Sequence, residues 1–314
     1  MIMLAPLAGI AHMLSHPFLR DAFLAGTAIA LASGVAGYFV VLRSQVFTGD
    51  ALSHVAFTGA LAALVAGVGV LFGLYAACIV VALAMAALGP RGRADDTVIG
   101  ATFAWVLGLG ALFLTIYTTS SRGTDATAGV NVLFGTIFGL SGAQAMTDAV
   151  ISLGVALAIL LIARPLLFAS IDESVARARG VPVGMLGFVF LGLVGVSAAA
   201  ASQAVGALLL LGLLAGPAGA AQRLTARPYR GLWLSVLIAL VSVWAGLTIA
   251  YAFPQVPPSF GILAVVAGCY LLAFAATAGY QRLAQRMSRG ALPDGDSSFT
   301  PRMRSSGRPF RVVQ

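Results

Sequence analysis

Apolar residues in this chain come in long runs, and arginines and acids cluster in the links between them. Crossing the hydrocarbon core of a bilayer takes about 20 apolar residues at 1.5 Å of helical rise each. The first run of that length covers residues 18–42 and closes at Arg43. Residues 50–89 are too long for one crossing and divide at Gly67, Gly69 and Gly73 into two. The fourth run covers 97–117, after a polar link from Arg91 to Asp96, and the fifth about 147–168. A sixth and a seventh occupy about 184–201 and 204–222, with Ser202 and Gln203 at their junction. An eighth covers about 230–252 and a ninth about 259–279. The pattern predicts an all-α, polytopic transmembrane helix bundle of about eight to nine spans over residues 18–279. It is flanked by an N-terminal segment, 1–17, and a tail, 280–314.

Composition agrees. Of the 314 residues, 60% are hydrophobic and 9% charged, against about 25% charged in soluble domains. A chain this apolar cannot hide its nonpolar surface in a core, so membrane lipid is its solvent. Cys78 and Cys269 both sit inside apolar runs and read as packing residues rather than a disulfide or a ligand cluster. The stretch from Met1 to Leu14 is too short to span. It reads as an interfacial helix, since it lacks the basic n-region of a signal peptide.

The net charge is +8 and every basic residue other than histidine is arginine. If the N-terminus is outside, all the arginines except Arg20 and Arg122 lie inside, seven of them in the tail from Arg282 to Arg311. The positive-inside rule selects that orientation. It also makes the tail a disordered cytoplasmic segment rather than a nucleic-acid arm. Without a lysine the chain has no Walker A loop to grip ATP phosphates. An ATPase, if one drives it, is a separate subunit.

Most acids have a plain explanation. Asp95 and Asp96 precede the fourth span and Asp148 opens the fifth, where helix capping accounts for them. Glycine ladders at Gly212, Gly216 and Ala220, and at Gly135 and Gly139, indicate close helix packing. Asp50 and His54 stand apart. Their i, i+4 spacing places carboxylate and imidazole on one helix face, about 5–6 Å apart at Cβ. Such a pair can hold a divalent ion, zinc, manganese or iron rather than sodium or calcium. The alternative is a helix cap at Asp50 and a packed His54.

Gly49-Asp50-Ala51-Leu52-Ser53-His54, followed by Gly59, resembles the G-D-A-L-S-H signature of ABC-3 family permeases. Asp96 through Gly100 with Leu133-Phe134-Gly135, Asp172 through Gly180, and Val205-Gly206-Ala207-Leu208-Leu209 with Pro217 and Ala218 resemble further stretches of that family. The resemblance covers roughly residues 18–279. It departs at Thr58, where members carry proline, and at the loop Thr118–Gly129, which is longer than usual. The family are membrane subunits of zinc, manganese and iron importers in bacterial plasma membranes. The resemblance implies a homodimer, a cytoplasmic ATP-binding subunit and an extracytoplasmic metal-binding protein. It places Asp50 and His54 on the substrate path, with no tightly bound cofactor. It makes Asp172, Glu173, Ala176 and Gly180 part of a helix that docks on the ATPase, and Gly49, Gly59, Gly206 and Pro217 points of helix break or packing. A secondary transporter or channel is the alternative, though one acid and one histidine are thin for ion coupling. A membrane metalloprotease would need something like H-E-x-x-H, which is absent.

Overall fold

The structure is a computed structural model and describes residues 16–89, 93–119, 135–207 and 210–290. Its helices are α1 (Pro17–Leu42), α2 (Val46–Ala66), α3 (Val70–Leu88), α4 (Asp96–Thr119), α5 (Gly142–Ile171), α6 (Glu173–Ala178), α7 (Val183–Val205), α8 (Leu210–Leu224), α9 (Pro228–Ala252) and α10 (Pro258–Gly290). A 3-10 turn at Ile137–Gly139 precedes α5, and the described residues contain no strand. The chain divides into two units, Met1–Phe274 and Ala275–Gln314. The first holds the bundle. Of the second, 275–290 is helical, which includes the start of the segment read as a disordered tail. The rest of that tail, the first 15 residues and most of the Thr118–Gly129 loop lie outside the described residues.

Among the described residues, eight helices are long and apolar enough to cross a membrane. The expected seventh span is shorter: α8 has 15 residues, which rise only about 22 Å against a hydrocarbon core of roughly 30 Å. The break before it falls at Gly206, whose φ of 93° belongs to glycine, and not at Ser202 and Gln203. α7 carries both polar residues to its end. Ser202 is buried among neighbouring helices, so it has no need to leave the helix. The break between α2 and α3 does fall in the expected glycines, with Gly67 left-handed at φ 73°.

α1 is the axis of the bundle. It packs on α5, α7, α8 and α9, and its small residues let their backbones come close. A Cβ on Gly37 would run into the Leu214 carbonyl of α8, and one on Gly34 would sit 2.8 Å from Val236 Cα of α9. The Gly212–Gly216 ladder is filled from within the chain by Leu263 and Val266 of α10. Gly135 and Gly139 form no helical ladder, since the first is left-handed at φ 74° and the second closes the 3-10 turn. Large apolar side chains such as Phe72, Trp105 and Leu161 face outward, as lipid requires.

Candidate functional site

Asp50 lies one turn inside α2, whose N-cap residue is Gln45. The capping alternative for Asp50 is therefore removed. Both Asp50 and His54 are half-buried. The His54 ring meets Phe103 of α4 edge-on, with centroids 4.9 Å apart, a favoured aromatic geometry that fixes the imidazole. Phe47, Asp50, Asp96, Ile99, Gly100 and Phe103 line a cleft of about 390 Å³ between α2 and α4. Among the described residues Asp50's carboxylate has no hydrogen-bond or ion-pair partner, and no three His, Cys, Asp or Glu side chains cluster as a metal site. One chain thus offers a carboxylate and an imidazole, with a second carboxylate, Asp96, across the cleft.

Capping explains Asp95, whose Oδ1 accepts the Val98 N–H at 2.9 Å. It does not account for Asp96, which stands in the first turn of α4 and in the cleft. Thr58 has a role of its own. Its hydroxyl donates a 3.1 Å hydrogen bond to the Val106 carbonyl, tying α2 to α4. Proline at that position has no such donor. Gly59 packs against Gly73, where an added Cβ would come 2.6 Å from the Gly73 carbonyl oxygen, and Gly49 abuts Leu214. Pro217 is buried within α8.

The segment Asp172–Gly180 folds as α6. Asp172 caps it, its Oδ1 accepting from Val175 N–H at 3.0 Å and from the Ser174 hydroxyl at 2.7 Å. Those bonds, the Val175 amide first, hold its carboxyl below the ordinary range. Ala176 is buried against Ala169 and Val183, which seats the helix on the bundle. Gly180 stops it at φ 80°. Glu173 reaches Arg177 at 3.0 Å and Arg93 at 3.8 Å. Arg93 donates in turn to the Arg43 carbonyl at 2.7 Å. The Arg43 side chain is buried over the Phe190 ring, and among the described residues its Nε and Nη1 have no hydrogen-bond partner. Burial, with the Arg93 charge, pushes its guanidinium down to about 10 while Glu173 pulls the other way. So α6 meets the end of α1 and the approach to α4 at one end of the bundle.

Asp148 is a correction. Ser141 caps α5, in a capping box with Gln144, and Asp148 lies about two turns farther in, 2% exposed. The Tyr75 phenol of α3 donates to its Oδ1 at 3.1 Å, and its Oδ2 has no partner among the described residues. A membrane-buried carboxylate is costly, so this is a designed feature rather than a solvated end.

The model of the ABC 3 transport family matches residues 15–277, which takes in both walls of the cleft, α6 and the Gly206 break. The chain belongs to that family. Among its relatives, the manganese transport system membrane protein MntC of Halalkalibacterium halodurans is 30% identical over 268 residues, covering 84% of this chain and 88% of that protein. The manganese import system permease protein ScaB of Streptococcus parasanguinis is 28% identical over 240 residues, covering 75% and 82%. In fold, the chain superposes on PsaBC from Streptococcus pneumoniae with a TM-score of 0.73 at 24% identity, over 85% of this chain and 95% of that one.

Proposed function

We propose that the chain is the membrane-spanning permease subunit of an ABC importer for divalent metal ions, zinc or manganese foremost and iron as a third choice. A separate cytoplasmic ATPase drives it and an extracytoplasmic metal-binding protein delivers the ion. The observation that carries this reading is Asp50 facing a cleft it shares with Asp96, with His54 one turn on against Phe103, which lines the same cleft. Carboxylate and imidazole together suit borderline divalent ions. The manganese names of the relatives favour manganese.

One chain supplies fewer than the four ligands of a closed site. A homodimer with its two clefts on a shared path provides the remainder. Weak coordination also lets the ion leave again. The metal is cargo, with no tightly bound cofactor. The gathering of Arg43, Arg93 and Arg177 around α6 supports a cytoplasmic α6 and tail with the N-terminus outside.

The test is uptake of labelled manganese and zinc by proteoliposomes holding the homodimer, its ATPase and its binding protein. Metal-stimulated ATP hydrolysis with uptake is the expected result. Asp148 favours a second reading, a proton-coupled carrier, because it adds a buried intramembrane carboxylate. Uptake driven by a pH gradient without the ATPase would establish that reading instead.

A further inference from the structure

We propose that Arg93 is a positioning residue that couples the docking helix α6 to both walls of the metal cleft. This rests on the permease reading above. The contacts run in a short chain. Glu173, the first residue of α6, faces Arg93 at 3.8 Å. Arg93 donates at 2.7 Å to the Arg43 carbonyl, in the turn Arg43-Ser44-Gln45 that starts α2. That turn is tight: Ser44 is left-handed at φ 57°. Seven residues past Arg43 comes Asp50.

The other wall is reached through Arg93's own backbone. Ala94 follows it, buried, and its carbonyl accepts from the Gln45 side chain at 3.5 Å. Asp95 then caps α4, and Asp96 stands in the cleft. The approach of Gly89 fixes this link from behind, because a Cβ there would strike the Arg93 carbonyl. One planar guanidinium therefore holds the docking helix's acid and the entry to α2, while its backbone leads into α4. A displacement of α6 moves Arg93, and with it the spacing between Asp50 and Asp96. Arginine suits this bridge because its donors point along several directions from a rigid plane. Lysine offers a single point charge.

The buried Arg43 guanidinium fits the same device. The charge of Glu173 favours its ionised form, and two of its nitrogens lack partners among the described residues. A buried donor without a partner is costly, which makes this corner of the bundle sensitive to the charge that Glu173 brings.

The experiment compares wild-type, Arg93→Gln and Arg93→Lys chains in the complete reconstituted complex. Metal taken up is measured per ATP hydrolysed, with membrane level and ATPase co-purification as controls. A distance between spin labels at Phe47→Cys and Gly100→Cys reports the cleft with and without ATP. The expected result is that both variants assemble and hydrolyse ATP, while uptake per ATP falls about tenfold, within the ordinary range of coupling between sites. The ATP-dependent change in label distance should vanish as well. Uptake per ATP at the wild-type ratio, or full coupling in Arg93→Lys, would overturn the bridge and leave the permease reading intact. A parallel fall of hydrolysis and uptake would also overturn it, since that marks lost docking. No metal uptake by the wild-type complex would overturn the permease reading and this proposal with it.

Discussion

The phenol of Tyr75 and the carboxylate of Asp148 are joined by a 3.1 Å hydrogen bond between α3 and α5, with the carboxylate buried and the tyrosine half-buried. Among the described residues Tyr75 is the only donor to that acid, and Asp148's second oxygen has no partner there. Tyr75→Phe should therefore destabilise the protein by about 1–3 kcal/mol, the cost of orphaning a buried polar group. Asp148→Asn should lose far less, because the amide oxygen still accepts from the phenol. Thermal unfolding in detergent checks both. Equal melting temperatures for Tyr75→Phe and wild type would show that the bond is idle.

Asp50→Asn and His54→Ala should each abolish metal uptake while the protein still reaches the membrane. A cap at Asp50 would tolerate asparagine, since both side chains accept from helix amides. Because Asp50 sits inside α2, the loss is expected to come from the ligand. Labelled manganese and zinc entering at the wild-type rate in Asp50→Asn would remove it from the pathway.

Glu173→Arg and Gly180→Pro should weaken assembly with the ATPase without preventing insertion. The first places a cation against Arg93 and Arg177. The second demands a negative φ where the backbone is at 80°. Co-purification with the ATPase measures the effect, and unchanged recovery would leave α6 as a solvated turn.

Cysteines introduced in the tail beyond residue 290 should resist membrane-impermeant labels in intact cells and react after permeabilisation. Labelling from outside would invert the orientation and take α6 out of the cytoplasm.

The helices were legible because lipid makes the requirement simple: about 20 apolar residues and a break. The expected run 18–42 and helix Pro17–Leu42 nearly coincide. The misreadings share one physical cause, which is that sequence shows a residue's type before its depth. Asp148 resembled a cap because its run seemed to open beside it. Ser141-Gly142-Ala143-Gln144, a capping-box pattern, already marked an earlier start. Ser202 and Gln203 looked like a junction because polarity in a span suggests an end, yet a serine facing other helices is simply buried. The cleft's second wall was hidden for another reason. Asp96 lies next to a true cap at Asp95, and only the packing of α4 on α2 brings it opposite Asp50.

The contact between Gly37 and the Leu214 carbonyl sets the mechanics of the molecule. With no space for even a methyl group there, α1 and α8 cannot slide past one another without unpacking. α2 is wedged to the same block, since Gly49 lies against Leu214. These three helices interlock around Leu214. Among the described residues α4 packs mainly on α2, with Trp105, Leu112 and Ile116 exposed on its other flank. Of the cleft's two walls α4 is therefore the more loosely packed, held to α2 at the Thr58–Val106 bond.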